Sequence, residues 1–195
     1  MRKILSIIFL SALLASCNQQ VDQNEEIETA TPEEINYSEL GNLIVTQSQQ
    51  ALGGELKAAI QRGGILEAVN YCNLNAIPLT DSLASFYNVA IKRATSKPRN
   101  PQNEASAAEL EILSVWETKQ QNAGVISPVL FDSEGTVDFY SPIIVQSLCT
   151  NCHGKIGESL TVENNQIIKE KYPNDQSVGY AEGDLRGMWH ITFKK

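Results

Sequence analysis

Cys149-Thr150-Asn151-Cys152-His153 sets two thiols three positions apart with an imidazole directly after the second. Thiols at that spacing can add across the two vinyl groups of a porphyrin while the neighbouring imidazole takes an axial position on its iron. One short segment must meet all three points, so the spacing is a geometric requirement. The expectation is one covalently attached haem c, with Cys149 and Cys152 as thioether sulfurs and His153 as an iron ligand. Two other chemistries use a C-x-x-C pair. A redox-active dithiol is normally presented by a β-α-β unit, which the flanking sequence lacks. A zinc site needs further soft ligands, and only Cys72 and His190 could readily supply them.

The ligand opposite His153 is narrowed by cysteine arithmetic. The chain has four cysteines. With Cys17 acylated (below) and Cys149 and Cys152 bonded to porphyrin, Cys72 has no disulfide partner in an oxidising compartment. It is either a small core residue on a helix or a thiolate on the distal side of the iron, where its negative charge would favour Fe(III) and lower the reduction potential. Met188 and His190 compete for that position. They flank Trp189 in an alternating segment and therefore share a face.

The N-terminus reads as an export and anchoring signal over residues 1–16. Arg2 and Lys3 precede an apolar stretch from Ile4 to Ala15, too short for a permanent membrane helix. Leu14-Ala15-Ser16-Cys17 resembles the bacterial lipobox, in which the Cys17 thiol is acylated and the lipid partner is a membrane. Residues 17–36 are polar, acidic and cannot bury a core; they are expected to be a flexible tether with a reach of about 25 Å. The whole chain carries 15 Lys+Arg against 23 Asp+Glu, a net charge of −8, which excludes a nucleic-acid binder relying on bulk positive charge. Residues 41–195 hold 13 basic and 16 acidic side chains, so the body is only mildly acidic.

The remaining sequence, residues 37–195, must position the motif. Leu40, Leu43, Ile44, Ala51, Leu56, Ala59 and Ile60 recur near a 3.6 period until Gly63-Gly64, predicting a long helix with a potential break at Gly53-Gly54. A second helix puts Ile65, Val69, Cys72 and Ala76 on one face, and Pro78 should end or offset it. A strand is expected over Asn88 to Ala94, an irregular loop over Lys97 to Asn103, and a helix over Glu104 to Gln121 that buries Ala108, Ile112, Val115 and Trp116. Ile126 to Phe131 and Thr136 to Tyr140 flank Asp132-Ser133-Glu134-Gly135 as a hairpin; Asn164 to Lys171 is helical and Trp189 to Phe193 a closing strand. Early helices, a hairpin and a late strand imply an α+β domain around a small antiparallel sheet.

Beyond the C-x-x-C-H segment, several motifs occur in a shared order. They are Cys72 on its helix, Arg93-Ala-Thr-Ser-Lys-Pro-Arg-Asn-Pro-Gln-Asn103, Tyr140-Ser-Pro-Ile143, Tyr172-Pro-Asn-Asp175 and Gly179-Tyr-Ala-Glu-Gly-Asp-Leu-Arg-Gly187. With them the chain, from about Tyr37 to Phe193, resembles the PAS-like c-type haem proteins, found as stand-alone envelope cytochromes and as sensor regions of histidine kinases. The resemblance implies a PAS-like antiparallel sheet with a long N-terminal helix and flanking helices, and a haem c ligated by His153 and Cys72. Arg93, Lys97 and Arg99 suit the propionates or the loop at the haem edge. Asp184 and Arg186 read as a structural turn pair.

The function expected is that of a membrane-anchored monohaem cytochrome in the cell envelope, on the outer membrane and facing the periplasm. It would act as a redox- or gas-responsive sensor, with a diatomic gas or an envelope signalling protein as partner. The alternative is a periplasmic electron carrier. An enzyme is not expected, because no distal His/Arg pair can be picked out. No transmembrane segment follows the domain, so direct transmembrane signalling is not expected either.

Overall fold

The structure, a computed structural model, describes residues 35–195. The expected signal over 1–16, acylation of Cys17, and the tether up to residue 34 lie outside the described residues. Among the described residues no helix is long and apolar enough to cross a membrane.

Helix α1 (Tyr37–Tyr87) opens with Asn36, whose side chain accepts the Glu39 N–H at 3.1 Å. It breaks where the glycines predict, at Gly63 and Gly64; Gly64 has φ 67, a value that residues with a Cβ avoid. The result is two helical arms. The expected break at Gly53-Gly54 does not occur, and Pro78 does not end the second arm, which continues to Tyr87. The physical reason is packing: Ala76 and Thr80, either side of Pro78, are both buried, and tertiary burial outweighs one lost backbone donor. Asn88 closes the arm in the left-handed conformation, φ 53, which delays strand β1 to Ala90–Ala94.

Helix α2 (Ala107–Gln121) starts on a reciprocal capping arrangement between Ser106 and Glu109. Its inward stripe is Glu109, Leu113 and Trp116; Ala108 and Val115, expected to be buried, are exposed. The stripe is rotated because Glu109 is drawn to the sheet by Lys92 and His190. Strands β2 (Val129–Ser133) and β3 (Thr136–Ile144) form the hairpin, with Asp132 and Ser133 inside β2 and only Glu134-Gly135 turning. A 3-10 turn (Ser147–Cys149) leads into α3 (Thr150–His153), followed by α4 (Val162–Lys171) and β4 (Leu185–Lys194).

The sheet is antiparallel throughout, in the order β1-β4-β3-β2. The last strand is thus central rather than peripheral, and its alternation feeds both faces. One face sets Val137, Phe139, Trp189, Ile191 and Phe193 against Ile44 and Val45 of α1. The other sets Tyr140 and Met188 against Leu113 and Trp116 of α2. Gly41 lets α1 lie directly on the sheet, since a Cβ there would stand 2.5 Å from the Phe139 ring. A third cluster joins Val69 of the second α1 arm to Leu160, Ile168 and Tyr172 around α4. The α+β reading, with a long N-terminal helix over an antiparallel sheet, is borne out.

Candidate functional site

Between α1 and the sheet lies a cavity of about 330 Å³, within the range of roughly 300–1,000 Å³ typical of cofactor pockets. Cys72 from the second α1 arm, Cys149 and His153 from the segment around α3, and Arg93 from β1 all line it. The single turn of α3 is pinned locally. Thr150 Oγ1 donates to the Ser147 carbonyl at 2.7 Å, and Gly154 ends the turn where a Cβ would collide with the Ser159 side chain and the Thr150 carbonyl. Cys152 lies just outside this lining and packs at the edge of the third apolar cluster. The three described cysteines form no disulfide.

His153 is half-buried and borders the cavity. Its Nδ1 stands 2.9 Å from the Ser177 carbonyl and 2.7 Å from Ser177 Oγ. A carbonyl can only accept, so Nδ1 carries the proton and Nε2 presents a lone pair. Burial, then the charges of Arg99 and Arg186, hold the imidazole pKa well below its ordinary value, against the hydrogen bond to the Ser177 backbone. The ring is therefore neutral at neutral pH, the state a metal ligand requires.

Behind the ring sits a charged network. Arg99 donates through Nη2 to the Cys152 carbonyl at 2.6 Å and to Asp175 Oδ2 at 3.0 Å, with the Ser177 carbonyl at 3.4 Å. Asp175 in turn accepts the Ser177 N–H at 2.8 Å. Arg99 is thus behind His153 and not on the cavity wall. Lys97 is exposed, its ammonium 5.6 Å from the Tyr180 ring centre, and is not on the wall either.

The Cys72 thiol is pushed up by burial, while Arg93 and Arg99 pull it down. Arg93 lies 6.0 Å over the Trp189 ring, and Arg186 donates to Thr95 Oγ1 at 2.7 Å. The Trp189 indole N–H and Arg186 Nε are buried without a hydrogen-bond partner among the described residues. Among the described residues the cavity wall holds Arg93 and Arg186 and no carboxylate, although the chain as a whole is acidic. Gly53 also faces it, with nothing within 4 Å of where a Cβ would be.

The competing ligands are elsewhere. Trp189 faces the cavity, so its neighbours in β4 face α2. Met188 is fully buried beside Leu113 and Trp116, and His190 bonds Glu109 Oε1 at 2.8 Å and Asp138 Oδ1 at 3.0 Å. Asp184 makes its turn alone, accepting the Ala181 N–H, while Arg186 reaches the cavity. Sequence reasoning missed Ser177, Asp175, Trp189 and Arg186 as parts of this site. Asp175 and Arg186 fall within the ordered motifs, whereas nothing about Ser177 marks it.

These features define a PAS-like α+β domain with a thiol- and imidazole-lined cavity between its N-terminal helix and its sheet. The chain belongs to the Tll0287-like family, whose sequence model matches residues 11–193. Among solved structures it is similar to the crystal structure of the cyanobacterial heme-protein Tll0287. That likeness has a TM-score of 0.59 at 24% identity and covers 83% of this chain and 98% of that one; it concerns the fold. No curated protein matches this chain. The family resemblance drawn from the sequence is borne out.

Proposed function

We propose that this protein is a monohaem c-type cytochrome of the cell envelope, lipid-anchored through Cys17, that acts as a redox- or gas-responsive module. The observation that carries this reading is that Cys72, Cys149 and His153 border one cavity whose wall, among the described residues, adds Arg93 and Arg186 and no carboxylate. The residues fit a haem. Neutral His153 offers Nε2, and the Cys149 and Cys152 thiols are available for thioether bonds. The unpartnered Trp189 N–H and Arg186 Nε, with Arg93, suit two carboxylates, and Gly53 leaves room for a flat ring against the helix. Tll0287, which shares the fold, is itself a heme-protein, in agreement with this reading.

A bound haem would supply one-electron redox chemistry and an iron able to take a diatomic gas. The chain's own part is to hold, orient and screen. His153 is fixed by Ser177, and Cys72 supplies a thiol whose pKa burial raises against the smaller, opposite pull of Arg93 and Arg99. If Cys72 held the iron as a thiolate and released it on reduction, this residue would act as a switch, which favours sensing over plain electron carriage.

Optical and low-temperature EPR spectra of the ferric and ferrous holo-protein, with and without CO, test this on wild type and Cys72→Ser. A low-spin thiolate signal that disappears in the variant, with CO binding on reduction, is the expected result. Spectra unaffected by the substitution would return Cys72 to a packing role, and a ferrous form inert to CO would favour the electron carrier. The anchor is tested separately: Cys17→Ser should release the protein from the membrane fraction.

A further inference from the structure

We infer that Arg99, Asp175 and Ser177 form a positioning relay that sets the electron richness of His153, and that Arg99 is therefore not a propionate partner. The inference rests on the haem reading above.

Three observations carry it. First, Ser177 meets Nδ1 of His153 twice, through its carbonyl and its hydroxyl oxygen, at 2.9 and 2.7 Å. An acceptor on Nδ1–H pushes density towards Nε2 and makes the imidazole a stronger donor to a ferric ion. Second, the Arg99 guanidinium lies 3.4 Å from the same Ser177 carbonyl and 2.6 Å from the Cys152 carbonyl, so its positive charge competes for the oxygen that serves His153. Third, the Asp175 side chain is fully buried and divided between the two. One oxygen neutralises Arg99 at 3.0 Å, and the other accepts the Ser177 N–H at 2.8 Å.

Cation and anion thus act on one imidazole with opposite sign. Arg99 weakens the carbonyl acceptor and adds positive charge beside the ligand segment, both favouring Fe(II). Asp175 cancels that charge, which favours Fe(III). None of the three side chains lines the cavity, so their effect on the iron is exerted through His153 and its segment.

The test is spectroelectrochemical titration of the holo-protein. Asp175→Asn keeps an oxygen for the Ser177 N–H but leaves Arg99 uncompensated. The midpoint potential should rise, with a several-fold larger ferrous fraction at a fixed poise. Ser177→Ala keeps the carbonyl acceptor but removes the hydroxyl, and should also raise the potential. Arg99→Gln should lower it, while Arg99→Lys, retaining the charge, should stay nearer to wild type than Arg99→Gln does. A merely structural role would loosen the site and move every variant in one direction, with broadened or lost haem bands; that result, or unchanged potentials, overturns the relay. Should Arg99→Gln fail to fold, a rise in both Asp175→Asn and Ser177→Ala with sharp, fully retained haem bands still decides for the relay, and a rise with broadened or lost bands against it. Absence of haem from the wild type overturns the proposed function and this inference with it, whereas a haem-loaded wild type with unmoved variants overturns the relay alone.

Discussion

Removing the charge of Glu109 should alter the acid stability of the domain by an amount that the structure defines. The side chain is 2% exposed, yet its carboxylate meets Lys92 Nζ at 2.7 Å, His190 Nδ1 at 2.8 Å and the Ser106 N–H at 2.7 Å. Burial pushes the carboxyl up, but hydrogen bonds from His190, Lys92 and Ser106 outweigh it and hold the pKa at about 2, against an ordinary 4.5. A carboxylate depressed on folding contributes stability that is fully present above its unfolded pKa and is lost as pH falls towards the folded value. The difference is worth about 3 kcal/mol in all, of which about 2 kcal/mol is gone by pH 3. Glu109→Gln keeps the shape while stranding Lys92 and His190, and should cost about 2–4 kcal/mol at pH 6. Urea unfolding followed by far-UV circular dichroism at pH 6, 4.5 and 3 measures both. The gap between wild type and variant should narrow steadily as pH falls; a constant gap would refute the coupling of this charge to folding.

Four further outcomes are expected. Burial opposes protonation of His190, but Glu109 and Asp138 raise its pKa above 6.5, so its contribution is present below that value and lost as pH rises through the folded one. His190→Gln should accordingly flatten the alkaline fall of the melting temperature. Gly41→Ala puts a Cβ 2.5 Å from the Phe139 ring and should lower the urea midpoint by the equivalent of about 1–3 kcal/mol. Gly53→Ala, projecting into open space within a helix, should stabilise the chain by up to about 1 kcal/mol, whereas Gly53→Phe should cut the haem-to-protein ratio while helix content is retained.

The elements were legible where local signals agree. Gly63-Gly64 broke α1 because only glycine readily takes the φ found at Gly64, whereas α2, expected from Glu104, starts at Ala107 behind the Ser106–Glu109 cap. Reading failed where burial overrode propensity. Pro78 stayed inside a helix because Ala76 and Thr80 are buried on either side, and Val115 lost its place in the core because Glu109 turned α2 towards Lys92 and His190. Within the candidate site, Cys72, Cys149 and His153 were nameable from residue type and spacing. Ser177 was not, since a serine's role depends on which ring lies beside it.

By itself the sequence determined the local chemistry: two thiols and an imidazole in one short segment, an unpaired Cys72 on a helix, and alternation that puts Met188 and His190 on a common side of their strand. It could not say which side. Tertiary structure decided that, by packing α1 and the cavity on the Trp189 face and α2 on the other, so that His190 meets Glu109 and Asp138 while Cys72 meets the cavity. It also separated three basic residues that look alike in sequence, sending Arg93 to the cavity wall, Arg99 behind His153 and Lys97 to the surface. The physical reason is that periodicity reports only relative orientation along one element, whereas function depends on which element packs against which face.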